Sequence, residues 1–334
     1  MEGKKIVLIG GAGFIGHNLA IHLKSLGAHV TIIDSLQVNN LASFTNSSKN
    51  SVNRSLYLSI LNERQQLLKN SGIELHIQDA RDYHALSALI LKLAPQVVIQ
   101  LAAVSHANKS NKDPYSTFDH SFRTLENALD ASRENVEHFI YFSSSMVYGN
   151  FKVESVQEDT PCNPIGIYGA LKYGGEKLVI AYNQVFDLPY TIIRPSALYG
   201  ERCVSRRVGQ IFIENALSGR EITIAGDGSD RLDFTYIKDL ELGIELVVSR
   251  KEALNETFNL TFGDSKSLAD MAEIMLKNFP DLELTYTERD KLMPDRGTLS
   301  IEKAKSLLGY NPQYPLEKGY VEYINWYKDF YRGR

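Results

Sequence analysis

Apolar residues along the first 200 positions fall into short solid blocks, separated by stretches in which they recur every three or four places. Residues 5–9, 29–33, 74–78, 96–101, 137–142 and 190–194 are the blocks, with the length and the β-branched and aromatic content of buried strands. The periodic stretches predict helices over 14–23, through Leu68, and over 83–93, 114–133 and 168–185. A polar loop, 39–53, follows the second strand. Alternation of this kind predicts an α/β fold with a doubly wound parallel sheet covered on both faces. In such a sheet ligands bind beyond the carboxyl ends of the strands. From Pro195 the pattern loosens into shorter elements and a GDGSD turn at 226–230, which predicts a division into residues 1–194 and a smaller C-terminal lobe, 195–334. Within that lobe, 233–250 could return to the main sheet. The aromatic C-terminal helix, 316–330, reads as packing.

Composition narrows the classes without adding a new one. With 334 residues, 43% hydrophobic content and a formal charge of −4, the chain has a full α/β core and no basic face for nucleic acid. No apolar stretch approaches the ~20 residues of a membrane span, and the chain runs from Met1 straight into the first strand, so a cytoplasmic location is expected. Cys162 and Cys203 are the only cysteines and read as small side chains, with no disulfide framework. No metal site is expected: all eight histidines lie at or before His138, and His17 and His22 are five apart, off the spacing of a helical ligand pair.

The first chemistry lies between strand one and helix one, in IGGAGFIG. Gly10, Gly13 and Gly16 make a tight strand-to-helix turn in which backbone can approach a pyrophosphate, and the N–H groups and dipole of the new helix favour its charge. The second strand then ends in Asp34, about 20 residues on, where a Rossmann-type fold places the acid that binds a ribose 2′-hydroxyl. A carboxylate there accepts a hydrogen bond from a free hydroxyl and repels a 2′-phosphate, so the expected cofactor is NAD rather than NADP.

The second chemistry follows strand five. YFSSSMVYG contains Ser144, and 24 residues later comes Tyr168-Gly-Ala-Leu-Lys172. A separation of four puts Tyr168 and Lys172 on one helical face, one turn apart. With Lys172 and a positive nicotinamide ring close by, the phenol is expected to fall from about 10 towards neutrality and to exchange protons at working pH. Ser144 would hold the reacting oxygen.

At this point the sequence resembles the extended short-chain dehydrogenases/reductases, the NAD-dependent nucleotide-sugar epimerases and dehydratases, over nearly its whole length. The resemblance rests on GGAGFIG (10–16), QDARD (78–82), QLAAVS (100–105), SSSMVYG (143–149), YGALK (168–172), RPSALYG (194–200), GDGSDRLDFTYIKD (226–239) and RGTLSIEKAKSLLGY (296–310). It implies Ser144, Tyr168 and Lys172 as catalytic, with Lys172 also on the nicotinamide ribose. It implies a cofactor site of Gly10, Gly13, Phe14, Ile15, Gly16, Asp34, Asp79, Ala80, Leu101, Ala102 and Ala103 together with Tyr168 and Lys172. Ser144 and Ser145 would face a nucleotide-sugar substrate, and a homodimer is implied. In such enzymes the tyrosine takes a proton from a sugar hydroxyl, usually at C4, while the carbon gives a hydride to NAD; epimerases then return the hydride to the other face.

Several positions depart from the pattern. Ile9 stands where many relatives have Thr, Gln100 where His is common, His120 for Asn, Ala197 for a substrate-contacting Asn, and Leu232 for an Arg on the diphosphate. Arg231 or Arg296 would supply the missing charge. In 4,6-dehydratases the catalytic Thr is followed by an Asp and a Glu that eliminate water. Here Ser145 and Met146 stand there, neither able to replace a carboxylate, unless Glu201 reaches in. The expected activity is therefore epimerisation, with simple oxidation or reduction or dehydration as alternatives and a non-catalytic dinucleotide sensor behind them.

Overall fold

The computed structural model describes residues 1–45, 52–104, 107–289 and 293–333. Part of the predicted 39–53 loop, and Ser105 of the QLAAVS stretch, lie outside these residues. Seven parallel strands form the central sheet: β1 (Lys5–Ile9), β2 (His29–Asp34), β3 (Glu74–Ile77), β4 (Val97–Gln100), β5 (His138–Phe142), β6 (Tyr190–Arg194) and β7 (Glu256–Asn259). Their order is β7-β6-β5-β4-β1-β2-β3. Side chains alternate across each strand, so Ile6 and Leu8 join one core while Val7 and Ile9 join the other. The first core takes helices α1 (Phe14–Ser25) and α2 (Arg54–Asn70); the second takes α3 (Tyr83–Leu93), α4 (Thr124–Ser132) and α5 (Gly166–Phe186).

Two features differ from the expected pattern. The single helix expected over 114–133 is three pieces: Pro114–Phe118, a π-helical turn at Asp119–Arg123, and α4. His120, within that turn, lines the groove described below. The chain after Pro195 also contributes to the sheet. Helix α6 (Ile237–Ser249) lies beside α1, joined by His22 Nε2 to Glu245 Oε2 at 2.9 Å, and leads into β7, which was not expected. The remaining segments pair in short ladders, such as Ile222–Ala225 with Leu284–Thr287. The aromatic helix α7 (Leu316–Arg332) buries Tyr320, Tyr323, Ile324 and Tyr327 along one stripe, as packing requires.

What locks α5 to the sheet is a buried ion pair. Arg194, ending β6, donates from Nε to Glu176 Oε1 at 2.9 Å and from Nη2 to Glu176 Oε2 at 2.7 Å, with the two side chains only 6% and 3% exposed. Arg194 Nη1 also reaches the Tyr148 hydroxyl and the Glu158 carbonyl, both at 2.9 Å. Breaking one partner strands the other charge in the interior. Arg194→Leu should therefore destabilise the protein by about 3–5 kcal/mol, read as a lower urea midpoint with an unchanged slope. The double variant Arg194→Leu/Glu176→Leu should recover part of the loss, and a single variant within about 1 kcal/mol of the parent would contradict the role given to the pair.

Candidate active site

The carboxyl ends of β1, β2 and β4 open into a groove, and those of β5 and β6 into a larger chamber beside it. Ile15, Leu101, Ala103 and Arg207 line both. The groove brings together Gly10, Gly13, Phe14, Ile15, Gly16, Asp34, Asp79, Ala80, Leu101, Ala102 and Ala103. Gly10 has φ +78°, and a Cβ there would sit 2.5 Å from the Ala102 nitrogen, so no side chain fits where β1 passes β4. Gly13 caps α1 without a side-chain bond, and the first turn carries no acid, leaving the helix N-terminus for an anion. Asp34 accepts from Ala12 N at 3.0 Å and Leu36 N at 2.7 Å; burial pushes its carboxyl up, and these bonds oppose that. Asp79 is held by Arg81 at 2.7 Å, which keeps its carboxyl below the usual range, and Arg81 also pairs with Asp119. The cradle, the free helix end and the placed carboxylate together fit a dinucleotide.

The chamber, about 1920 Å³ and open to solvent, contains Ser144, Ser145, Tyr168, Lys172, Arg231 and Arg296. Ser144 lies two residues past β5 and caps a short turn by accepting from Met146 N at 3.2 Å. Its hydroxyl faces the Tyr168 phenol and favours the ionised form. Lys172 is buried one turn along α5, where its Nζ donates to the Phe142 carbonyl at 2.6 Å and lies 5.1 Å above the Tyr141 ring. Burial pushes its ammonium down to about 8, against a smaller upward effect of Glu176.

Comparison with known proteins decides the family. Residues 6–261 match the model of the NAD-dependent epimerase/dehydratase family. The chain belongs to that family. An uncharacterized UDP-glucose epimerase, YtcB, of Bacillus subtilis is 32% identical over 243 residues, 71% of this chain and 76% of that protein. A dTDP-glucose 4,6-dehydratase of Escherichia coli is 25% identical over 355 residues, covering 97% and 92% of the two chains. Among solved structures, UDP-glucuronic acid 4-epimerase of Bacillus cereus, in complex with UDP-glucuronic acid and NAD, superposes with a TM-score of 0.87 at 28% identity, covering 98% of this chain and 100% of that one. UDP-glucose 4-epimerase of Thermotoga maritima, with UDP-glucose, gives 0.83 at 25% identity over 97% and 98%.

As a member of the epimerase/dehydratase family the enzyme keeps its tyrosine in a buried setting. Lys172 and a positive nicotinamide ring were expected together to draw the Tyr168 phenol down; in the chain alone burial raises it, opposed by Arg207, then the Ser144 hydroxyl, then Arg296. The lysine is turned to the Phe142 carbonyl. Arg231 is exposed and spends its Nε and one terminal nitrogen on Ser265. Arg296 donates to Met146 Sδ at 3.8 Å, and its buried Nε has no partner among the described residues. Glu201 does not line the chamber; it accepts from the Tyr236 hydroxyl at 2.5 Å.

Sequence reasoning missed Arg64 and Arg207 and named His120 only as a departure from the pattern; all three are in the groove wall. Arg64 could have been noticed, because it falls on the apolar stripe Tyr57, Ile60, Leu61, Leu68 of α2. It is fully buried and donates to the Arg202 carbonyl. Arg207 carries no local signal. The placement of Asp34 generates a prediction: NAD(H) should bind more tightly than NADP(H), and Asp34→Ala should narrow the gap. Calorimetry checks this, and equal or tighter NADP(H) binding by the parent would refute it.

Proposed function

We propose that this enzyme is a UDP-sugar 4-epimerase in which Tyr168 is the proton-transfer group. The substrates named for the Bacillus cereus and Thermotoga maritima structures, UDP-glucuronic acid and UDP-glucose, support the class. The observation that carries the reading is the gathering of Ser144, Tyr168 and Lys172 in the chamber beside the dinucleotide groove. Bound in the groove, NAD supplies a hydride acceptor and donor. Ser144 holds the C4 hydroxyl, and Tyr168 as phenolate takes its proton as the C4–H bond breaks and the carbonyl forms. The proton returns to the oxygen as the C4 carbonyl is reduced and the C4–H bond forms again on the other face. Lys172, bonded to Phe142, fixes the floor on which the nicotinamide ribose rests.

Elimination of water lacks its acid and base here. Asp230 is the carboxylate among the described chamber residues, and Arg289 holds both its oxygens at 2.9 Å. Met146, at the place of a dehydratase glutamate, has only a thioether to offer. The product should keep every atom of the substrate.

The segments after Pro195 other than α6 and β7 form the lobe that closes on the nucleotide-sugar, and the enzyme works as a cytoplasmic homodimer. Among the described residues no helix is long and apolar enough to cross a membrane. Tyr115, Phe118, Ile167, Val185 and Phe186, exposed on the Pro114–Phe118 segment and on α5, are the surface a second copy would cover.

Incubation with UDP-glucose and UDP-glucuronic acid, followed by mass spectrometry and NMR, tests the reading. The expected product has unchanged mass and inverted C4. Tyr168→Phe should keep cofactor binding and lose at least ~10²-fold in turnover. Loss of one water at a rate matching turnover, abolished by that substitution, would overturn it.

A further inference from the structure

The segment 201–207 carries Ser205 and Arg207 to the edge of the cofactor groove. Within it Arg202 and Arg206 take a left-handed backbone, φ +62° and +55°, which a residue with a side chain keeps only where its neighbours hold it. What holds Arg202 is a set of bonds to the dinucleotide half of the chain. Its Nε donates to His17 Nε2 and its Nη2 to Asn18 Oδ1, both at 3.0 Å, and its Nη1 lies 3.5 Å from Glu63 Oε1. Its carbonyl accepts from Arg64 Nε at 2.9 Å. The segment is thereby tied to α2 and to the first turns of α1, the helix whose uncapped N-terminus faces the groove.

The His17 ring permits its part of this arrangement in one protonation state. An arginine Nε donates and cannot accept, so His17 Nε2 carries no proton, and the proton on Nδ1 is donated to the Gly13 carbonyl at 2.9 Å. The neutral ring spans the glycine turn and the 201–207 segment, and a second proton would remove the acceptor. His17 is fully buried. Arg64 and Glu63 face this cluster from α2 and Arg202 faces it from the segment, while Asp34 of β2 acts on Arg64 and Glu241 of α6 on Arg202. Glu245 of α6 is bonded to His22 instead. Burial first, then Arg64 and Arg202, hold the ring well below the ordinary imidazole value of 6.5.

We propose that Arg202 and His17 form a latch that holds the 201–207 segment across the cofactor groove and sets how fast NAD leaves, with His17 the positioning residue and acid the release. In the closed latch the ring is neutral. Once the segment lifts, Nε2 meets water and takes a proton with the ordinary pKa of about 6.5. The closed form binds fewer protons, so retention is full above about pH 6.5 and is lost as the pH falls below it. The latch depends on the dinucleotide groove, and on neither Tyr168 nor a nucleotide-sugar.

A chase experiment tests it without turnover. Enzyme loaded with 14C-labelled NAD is mixed with excess unlabelled NAD, and the label left on the protein is read after rapid gel filtration. The parent should release label about 10-fold faster at about pH 5.5 than at about pH 8. His17→Gln has an oxygen that still accepts from Arg202 but takes no proton, so it should hold NAD as the parent does at about pH 8 and lose most of the acid response. His17→Leu and Arg202→Met lack the bond and should release label at least ~10-fold faster than the parent at about pH 8. Circular dichroism and thermal melting establish that each variant folds, and His17→Gln decides alone should the other two not. An acid response in His17→Gln equal to the parent's, or a folded Arg202→Met that releases label at the parent's rate, would overturn the inference. No sugar is present, so either result leaves the epimerase reading standing.

Discussion

The buried pair between Arg194 and Glu176 is the interaction on which the site depends. It joins the carboxyl end of β6 to the middle of α5, and Glu176 lies one turn beyond Lys172 and two beyond Tyr168. Ser143, beside Ser144, donates to the same carboxylate at 2.5 Å, and the Tyr148 hydroxyl links the arginine to Asn259 of β7 at 2.8 Å. One carboxylate thus sets the register of the helix that carries the tyrosine against the strand end that carries the serine. A hydrophobic pair of equal volume would bury as well, but would not fix that register by directional bonds.

A second constraint is electrostatic. The groove and chamber are walled by Arg64, Arg207 and Arg296, each with a buried nitrogen that has no partner among the described residues. Burial pushes the Arg296 guanidinium down to about 10, as Arg207 beside it also does. Such groups are costly without anions and favourable with them. They suit a site that binds a dinucleotide beside a nucleotide-sugar diphosphate.

Much of this was legible along the chain. Six of the seven strands, the glycine turn, Asp34 and the Tyr168–Lys172 pair announce themselves because each depends on local periodicity or fixed spacing. The strand β7 did not: ETFN is four residues long, and it joins the sheet only because α6 returns beside α1. The π-turn at Asp119–Arg123 is hidden within a continuous helical pattern. Arg207 depends on the fold of a loop 39 residues from Tyr168. The Lys172 bond to β5 was hidden for a related reason: helical spacing brings Cβ atoms to one face, but the Phe142 carbonyl that accepts from Nζ is nothing spacing can reveal.

The central claim is that one tyrosine, fixed by the sheet and charged by its surroundings, lets a hydride leave C4 and come back. A UDP-hexose bearing deuterium at C4, incubated with the enzyme in ordinary water and followed by NMR, tests that claim most directly. The account predicts that the label stays at C4 in a product of inverted configuration. Loss of the label to solvent as C4 inverts would contradict it.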